Sequence, residues 1–125
     1  MRKYLFYICI LILNFIIVGC SSESDMSPKD DNVTVQDKMN NIIEEDNYVI
    51  VDVRTEEEYN ESHVVESINI PYDVIDENVE IDKDKTVMVY CRSGKRSAIA
   101  YEMLTSLGYD VLDLGAYDDI SLDKE

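Results

Sequence analysis

Residues 86–104 constrain the fold more than any other stretch: a short β-branched run, a turn, and then a helix. Thr86-Val87-Met88-Val89-Tyr90 has the apolar, β-branched composition of a strand buried in a parallel sheet. Ser97-Ala98-Ile99-Ala100-Tyr101-Glu102-Met103-Leu104 has helical composition and an apolar face. Cys91-Arg92-Ser93-Gly94-Lys95-Arg96 therefore makes a strand-to-helix turn that begins on a thiol. The N–H groups of such a turn, with the helix N-terminus behind them, attract anions. The same field lowers a thiol pKa and favours the thiolate. The expectation is a reactive cysteine that handles an anionic or sulfur-bearing substrate.

Around this unit, strands and helices alternate. Thr34 caps a helix that places Met39, Ile42 and Ile43 on one face, and Asn47 breaks it. Tyr48-Val49-Ile50-Val51-Asp52-Val53 is a β-prone run. Thr55-Glu56-Glu57-Glu58 fits a capping box for a short helix ending near Asn60, and its acids read as a solvated helix start. Ser67-Ile68-Asn69-Ile70 is a brief strand stopped by Pro71, and one or two helical turns follow from Tyr72. Gly108 is placed to end the helix that starts at Ser97. Val111 to Leu114 is a last strand, and Gly115 to Ile120 a short closing helix. This order predicts an α/β domain with a parallel sheet.

With 125 residues there is room for one domain, expected to act as a monomer. The net charge of −16 excludes a nucleic-acid role, which needs a basic face. Charge is uneven, however. No Asp or Glu occurs from Lys85 through Tyr101, a window holding Lys85, Arg92, Lys95 and Arg96. A positive pocket on a negative protein would focus anions toward Cys91.

Arg2 and Lys3 precede an apolar run from Tyr4 to Val18, and Gly19-Cys20 follows. About 15 apolar residues fall short of the ~20 that span a membrane, but they suit a signal-peptide core. Ile17-Val18-Gly19-Cys20 resembles the bacterial lipobox, which implies lipidation of Cys20 and cleavage before it. The expected organisation is a signal peptide over 1–19, an acidic tether over 20–32, a domain over 33–120 and a tail over 121–125. The mature protein would then be extracytoplasmic and held to the bacterial membrane through the Cys20 lipid. Cys9 leaves with the signal peptide and Cys20 is capped, so Cys91 is left as one free thiol. That pattern excludes a disulfide scaffold, a Cys-x-x-Cys oxidoreductase and a zinc ligand set.

Val51-Asp52-Val53-Arg54, Glu58-Tyr59, Ser62-His63-Val64, Ile68-Asn69-Ile70-Pro71 and the Cys91–Ser97 loop, in this order, resemble a single-domain rhodanese. The resemblance runs from about Val33 to Ile120. It implies a three-layer α/β fold with a central, mainly parallel five-stranded sheet flanked by helices. It also implies a sulfurtransferase in which the cysteine takes the outer sulfur of a thiosulfate-like donor as a persulfide and yields it to cyanide or a thiol. Carried over, Cys91 is the nucleophile, and the amides of Arg92, Ser93, Gly94, Lys95, Arg96 and Ser97 cradle sulfur and donor. Arg96 steers the anion with Arg92 or Lys95 assisting, and no metal or organic cofactor is implied. Asp52 and Arg54 are expected to brace nearby loops as a charge-assisted pair. His63 is expected to be structural.

Two segments depart from the family pattern. Ser62-His63-Val64 and Val65-Glu66-Ser67 stand where Gly-His-Ile and Pro-Gly-Ala are frequent. Leu114-Gly115-Ala116-Tyr117 lacks the usual double glycine and tryptophan. Loop length separates the nearest rival: phosphatases of this fold use Cys-x5-Arg, whereas Cys91 to Arg96 is Cys-x4-Arg, a smaller ring suited to sulfur. A Walker loop fails, because Arg96 follows Gly94-Lys95. The alternative from another class is a non-catalytic binding module or a persulfide carrier serving one partner.

Overall fold

In the computed structural model, which describes residues 32–125, Thr34 caps helix α1 (Val35–Glu45). Its hydroxyl accepts from the Asp37 N–H at 3.1 Å, and the Asp37 carboxylate accepts from the Thr34 N–H at 3.0 Å. Two otherwise orphaned donors are satisfied this way. The expected signal peptide, Cys9, Cys20 and residues 20–31 of the expected tether lie outside the described residues.

Strand β1 (Tyr48–Asp52) leads to helix α2 (Glu56–Glu61), strand β2 (Ile68–Asn69) and a 3-10 turn at Tyr72–Val74. Strand β3 (Thr86–Cys91), helix α3 (Lys95–Ser106), strand β4 (Asp110–Ala116) and a second 3-10 turn at Tyr117–Asp119 complete the order. The sheet runs β2-β1-β3-β4, and every pairing in it is parallel. Among the described residues the sheet has four strands rather than the five expected. Val64 and Lys124 do pair, antiparallel, but as an isolated bridge too short to be a strand.

The period-2 alternation of β3 builds the layers. Val87, Val89 and Cys91 face one core, shared with Ala100 and Leu104 of α3. Met88 and Tyr90 face the other, shared with Met39 of α1. The α/β sandwich has a core on each side of the sheet, and Cys91 belongs to the α3 side.

Two boundaries differ from expectation. Helix α3 begins at Lys95, not Ser97, because Gly94 turns at φ 89° and its carbonyl accepts from the Ala98 N–H at 3.2 Å. Gly115 sits in β4, not in a closing helix: the register moves from Val89↔Asp113 to Tyr90↔Gly115, leaving Leu114 as the extra residue of a bulge. Residues 121–125, the expected tail, are docked on the domain. The Glu125 N–H donates to the His63 carbonyl at 2.9 Å, the His63 N–H donates to the Glu125 carbonyl at 2.8 Å, and Leu122 packs on the α1-side core.

Glu66 takes φ 66°, in the left-handed region, at the position where the family pattern has glycine. The turn keeps its shape, and a side chain bears the strain. Left-handed backbone costs roughly 1–2 kcal/mol for a residue with a Cβ. Glu66→Gly is therefore expected to stabilise the fold by about 0.5–1 kcal/mol after the extra entropy of the unfolded glycine is subtracted. Urea denaturation reads this directly, and a destabilised variant would show that the Glu66 side chain contributes more than its backbone costs.

Candidate active site

The end of β3 delivers Cys91 into the turn that becomes α3. The residue is buried, and its Sγ accepts from the Gly94 N–H at 3.0 Å. Burial pushes the thiol pKa up. Hydrogen bonds from the Ser97, Ser93 and Gly94 amides outweigh it, and the thiol lies below its ordinary value of 9.0. These amides form a partial ring of donors around the sulfur. Ser97 is itself buried, and its hydroxyl donates to the Gly94 carbonyl at 3.1 Å, which ties the first turn of α3 to the loop.

Glycine permits this tight geometry at two places. Gly94 reverses the chain at φ 89°, and a Cβ built there would sit 3.8 Å from the Gly115 Cα. Gly115, at φ 78° in the bulge of β4, thus lies directly beside the loop. Its role does not emerge from the sequence, where it is one glycine of a departing segment.

The cations of the loop separate into two kinds. Arg92 and Lys95 are exposed, with neither in a salt bridge among the described residues. Arg96 is bound: its Nη1 lies 2.7 Å from Glu58 Oε2 and its Nη2 3.0 Å from Glu58 Oε1. Glu58 is therefore not a solvated acid but a partner of the loop. The Arg96 bonds hold its carboxyl down at about 2, from an ordinary 4.5. Because the folded value is the lower one, this stabilisation is complete above about 4.5 and is lost as pH falls toward about 2.

Asp52 ends β1 opposite Tyr90, on the side of the sheet away from the thiol, and Arg54 follows two residues on, lining a cavity with Glu58 and Arg92. The Asp52 carboxylate accepts from Arg54 Nε at 3.0 Å, from Arg54 Nη2 at 2.6 Å and from the Tyr90 hydroxyl at 2.7 Å. Arg54 also donates to the Ser62 carbonyl at 2.7 Å, and its guanidinium lies 4.5 Å from the centre of the Tyr117 ring. Burial pushes the Tyr90 hydroxyl pKa up to about 12, so it stays a donor. Tyr117 supplies aromatic packing in the closing segment that carries no tryptophan. His63 stacks on Tyr59 at 3.8 Å, its Nδ1 is 2.8 Å from the Tyr59 carbonyl and its Nε2 is 3.2 Å from Glu125 Oε1. All of its polar atoms are thus engaged in local structure.

A lowered thiol inside a closed ring has a direct reading. Alkylation of Cys91 by iodoacetamide is expected to rise with pH through a midpoint below 9.0 and, with each rate taken relative to that of free cysteine, to outpace a bulky maleimide, because the sulfur is buried. Peptide mass spectrometry after timed quenching measures both. A midpoint at or above 9.0, or equal relative rates with both reagents, would contradict the geometry.

The comparisons with known proteins agree with this arrangement. The sequence pattern of the rhodanese-like domain matches residues 35–121. Thiosulfate sulfurtransferase PspE of Escherichia coli is 40% identical over 78 residues, covering 59% of this chain and 75% of that protein. Thiosulfate:glutathione sulfurtransferase of Saccharomyces cerevisiae is 36% identical over 77 residues, covering 50% of this chain and 55% of that protein, so the chain spans about half of the yeast relative. Among solved structures, a rhodanese with anions from E. coli superposes with a TM-score of 0.52 at 35% identity, covering 62% of this chain and 96% of that one. A rhodanese-related protein from Thermoplasma volcanium gives 0.60 at 30% identity, covering 73% and 93%. Fold, loop and matched span converge: the chain belongs to the rhodanese-like domain family.

Proposed function

We propose that this protein is a sulfurtransferase that moves a sulfane sulfur from a thiosulfate-like donor to a thiophilic acceptor through a persulfide on Cys91. The observation that carries this reading is the buried Cys91 sulfur at the head of the strand-to-helix turn, accepting from the Gly94 N–H at 3.0 Å, in a setting that holds the thiol below its ordinary value. Relatives named as thiosulfate sulfurtransferases support it.

In the first step the Cys91 thiolate attacks the outer sulfur of thiosulfate. A sulfur–sulfur bond forms to Cys91, the donor's own sulfur–sulfur bond breaks, and sulfite departs with the electron pair. The anionic persulfide then occupies the amide ring, where fixed donors stabilise it as an oxyanion hole stabilises oxygen. In the second step the carbon of cyanide, or an acceptor thiolate, attacks the outer persulfide sulfur. Thiocyanate or a new persulfide leaves, and the Cys91 thiolate is restored. The sulfur travels on the protein's own side chain, so neither step calls for a metal or organic cofactor.

Incubating the purified protein with thiosulfate and cyanide tests the reading: thiocyanate is expected, together with a mass gain of one sulfur on the Cys91 peptide before cyanide is added. Neither product would favour a binding module. A sulfur gain without thiocyanate would favour a carrier dedicated to one partner.

The proposal extends to location. Lipidation of Cys20 would hold the domain outside the cytoplasmic membrane, as a monomer on an acidic tether. Cys20→Ala is expected to release or misprocess the protein in membrane fractionation and labelled-palmitate incorporation; unchanged retention and labelling would refute the anchor.

A further inference from the structure

The Glu58 carboxylate is held by three donors. Its Oε2 accepts from the Thr55 N–H at 3.1 Å and from Arg96 Nη1 at 2.7 Å, and its Oε1 accepts from Arg96 Nη2 at 3.0 Å. Both terminal nitrogens of Arg96 point at one carboxylate, which is the bidentate geometry an arginine would otherwise offer an oxyanion. Side-chain exposure is 25% for Arg96 and 20% for Glu58, so water screens the pair only in part. Arg96 nevertheless belongs to the loop that Cys91 opens, in the first turn of α3 and next to the buried Ser97, and the Cys91 sulfur adds to the stabilisation of its charge that Glu58 leads. The cation expected to steer the donor is thus in the same loop as the reacting atom yet occupied.

We propose that Glu58 is a positioning residue that keeps Arg96 from clamping an anionic donor, so that recognition of donor charge falls to Arg92 and Lys95. The inference rests on the reading of the loop as an anion-accepting site. With Glu58 in place, Arg96 orders the loop and adds little net charge beside the sulfur. The pocket is then biased away from tight retention of dianions, and departing sulfite is not trapped by a fork of two N–H groups. The other charged groups bordering this region are Arg54 with its partner Asp52, together with Glu61, Arg92 and Asp118 around a cavity of about 180 Å³ that Glu58 also lines.

Sulfate, an unreactive dianion, is the probe, and alkylation of Cys91 by iodoacetamide is the readout. Removing the Glu58 charge in Glu58→Gln is expected to lower the midpoint of the alkylation pH profile by roughly half to one unit. It is also expected to lower the sulfate concentration that half-protects Cys91 by about threefold to tenfold. Thr55→Ala, which breaks the cap and leaves Glu58 on Arg96, should lower Tm without moving either quantity. The charge-conserving double variant Glu58→Gln/Arg96→Gln should match the wild type in sulfate protection within about twofold, since Arg96 is not a donor contact to begin with. Arg92→Gln and Lys95→Gln should each weaken protection.

An unmoved or raised midpoint in Glu58→Gln overturns the proposal. So does a double variant that loses protection, or protection indifferent to both Arg92 and Lys95. Should Glu58→Gln fail to fold, the double variant and the two loop variants still decide. Thiocyanate formation is measured apart from alkylation, so a protein that transfers no sulfur can pass this test and an active one can fail it.

Discussion

Cys91→Ser is expected to bring thiocyanate formation to background, a loss of about a thousandfold or more, with Tm shifted by no more than about 3 °C. The size of the loss follows from chemistry that no neighbour can replace. An alkoxide is far harder to form at neutral pH than a thiolate, and oxygen cannot carry the transferred sulfur as a persulfide. The small change in stability follows from shape, since serine fills nearly the same buried volume and its hydroxyl can use the donors around the sulfur. Thiocyanate release and thermal unfolding on one preparation separate the two quantities. Residual turnover of a tenth or more in Cys91→Ser would remove this residue from the reaction.

The second large effect concerns stability. Arg54→Met is expected to cost about 3–5 kcal/mol, because it strands a buried carboxylate. Asp52 is 0% exposed and Arg54 6% exposed, so water cannot compensate the lost partner. The Asp52 carboxylate would keep the Tyr90 hydroxyl and the Arg54 N–H, the latter at 2.9 Å, but it would lose the guanidinium. Small domains hold only about 5–15 kcal/mol in total, so the variant would stand at the edge of folding. Asp52→Asn/Arg54→Met should lose clearly less than the two single losses added together, since it leaves no uncompensated charge. Additive losses in urea titrations would mean that the pair does not act as a unit.

Much of this was legible in the sequence, and the limits are physical. Capping boxes depend on residues three apart, so Thr34 and Thr55 could be identified as helix starts from local spacing. The β-prone runs at 48–53 and 86–90 are dense enough to identify without tertiary context, and they became strands 48–52 and 86–91. The Cys91 loop announces its chemistry because thiol, glycine and cations fall within one turn. What stayed hidden depends on distant partners. Glu58 and Arg96 are 38 residues apart, and three consecutive glutamates look like solvated charge until α2 is packed beside the loop. Gly115 gains its meaning only once β4 has paired with β3 and lies against Gly94. The docked residues 121–125 are polar and short, with no local signal for the pairing that His63 and Val65 offer them.

Tyr90 and Cys91 are adjacent in sequence, yet they project into different cores. The sheet therefore separates two tasks: one side holds the reactive sulfur, and the other braces the domain through Tyr90 and Asp52, with Arg54 as their partner at the sheet's end. Exposed loop positions such as Ser93 and Lys95 can be varied in a library without touching that brace, whereas Arg92 shares a cavity with Arg54. Substrate preference can thus drift, in nature or in the laboratory, on a scaffold whose folding does not depend on the choice.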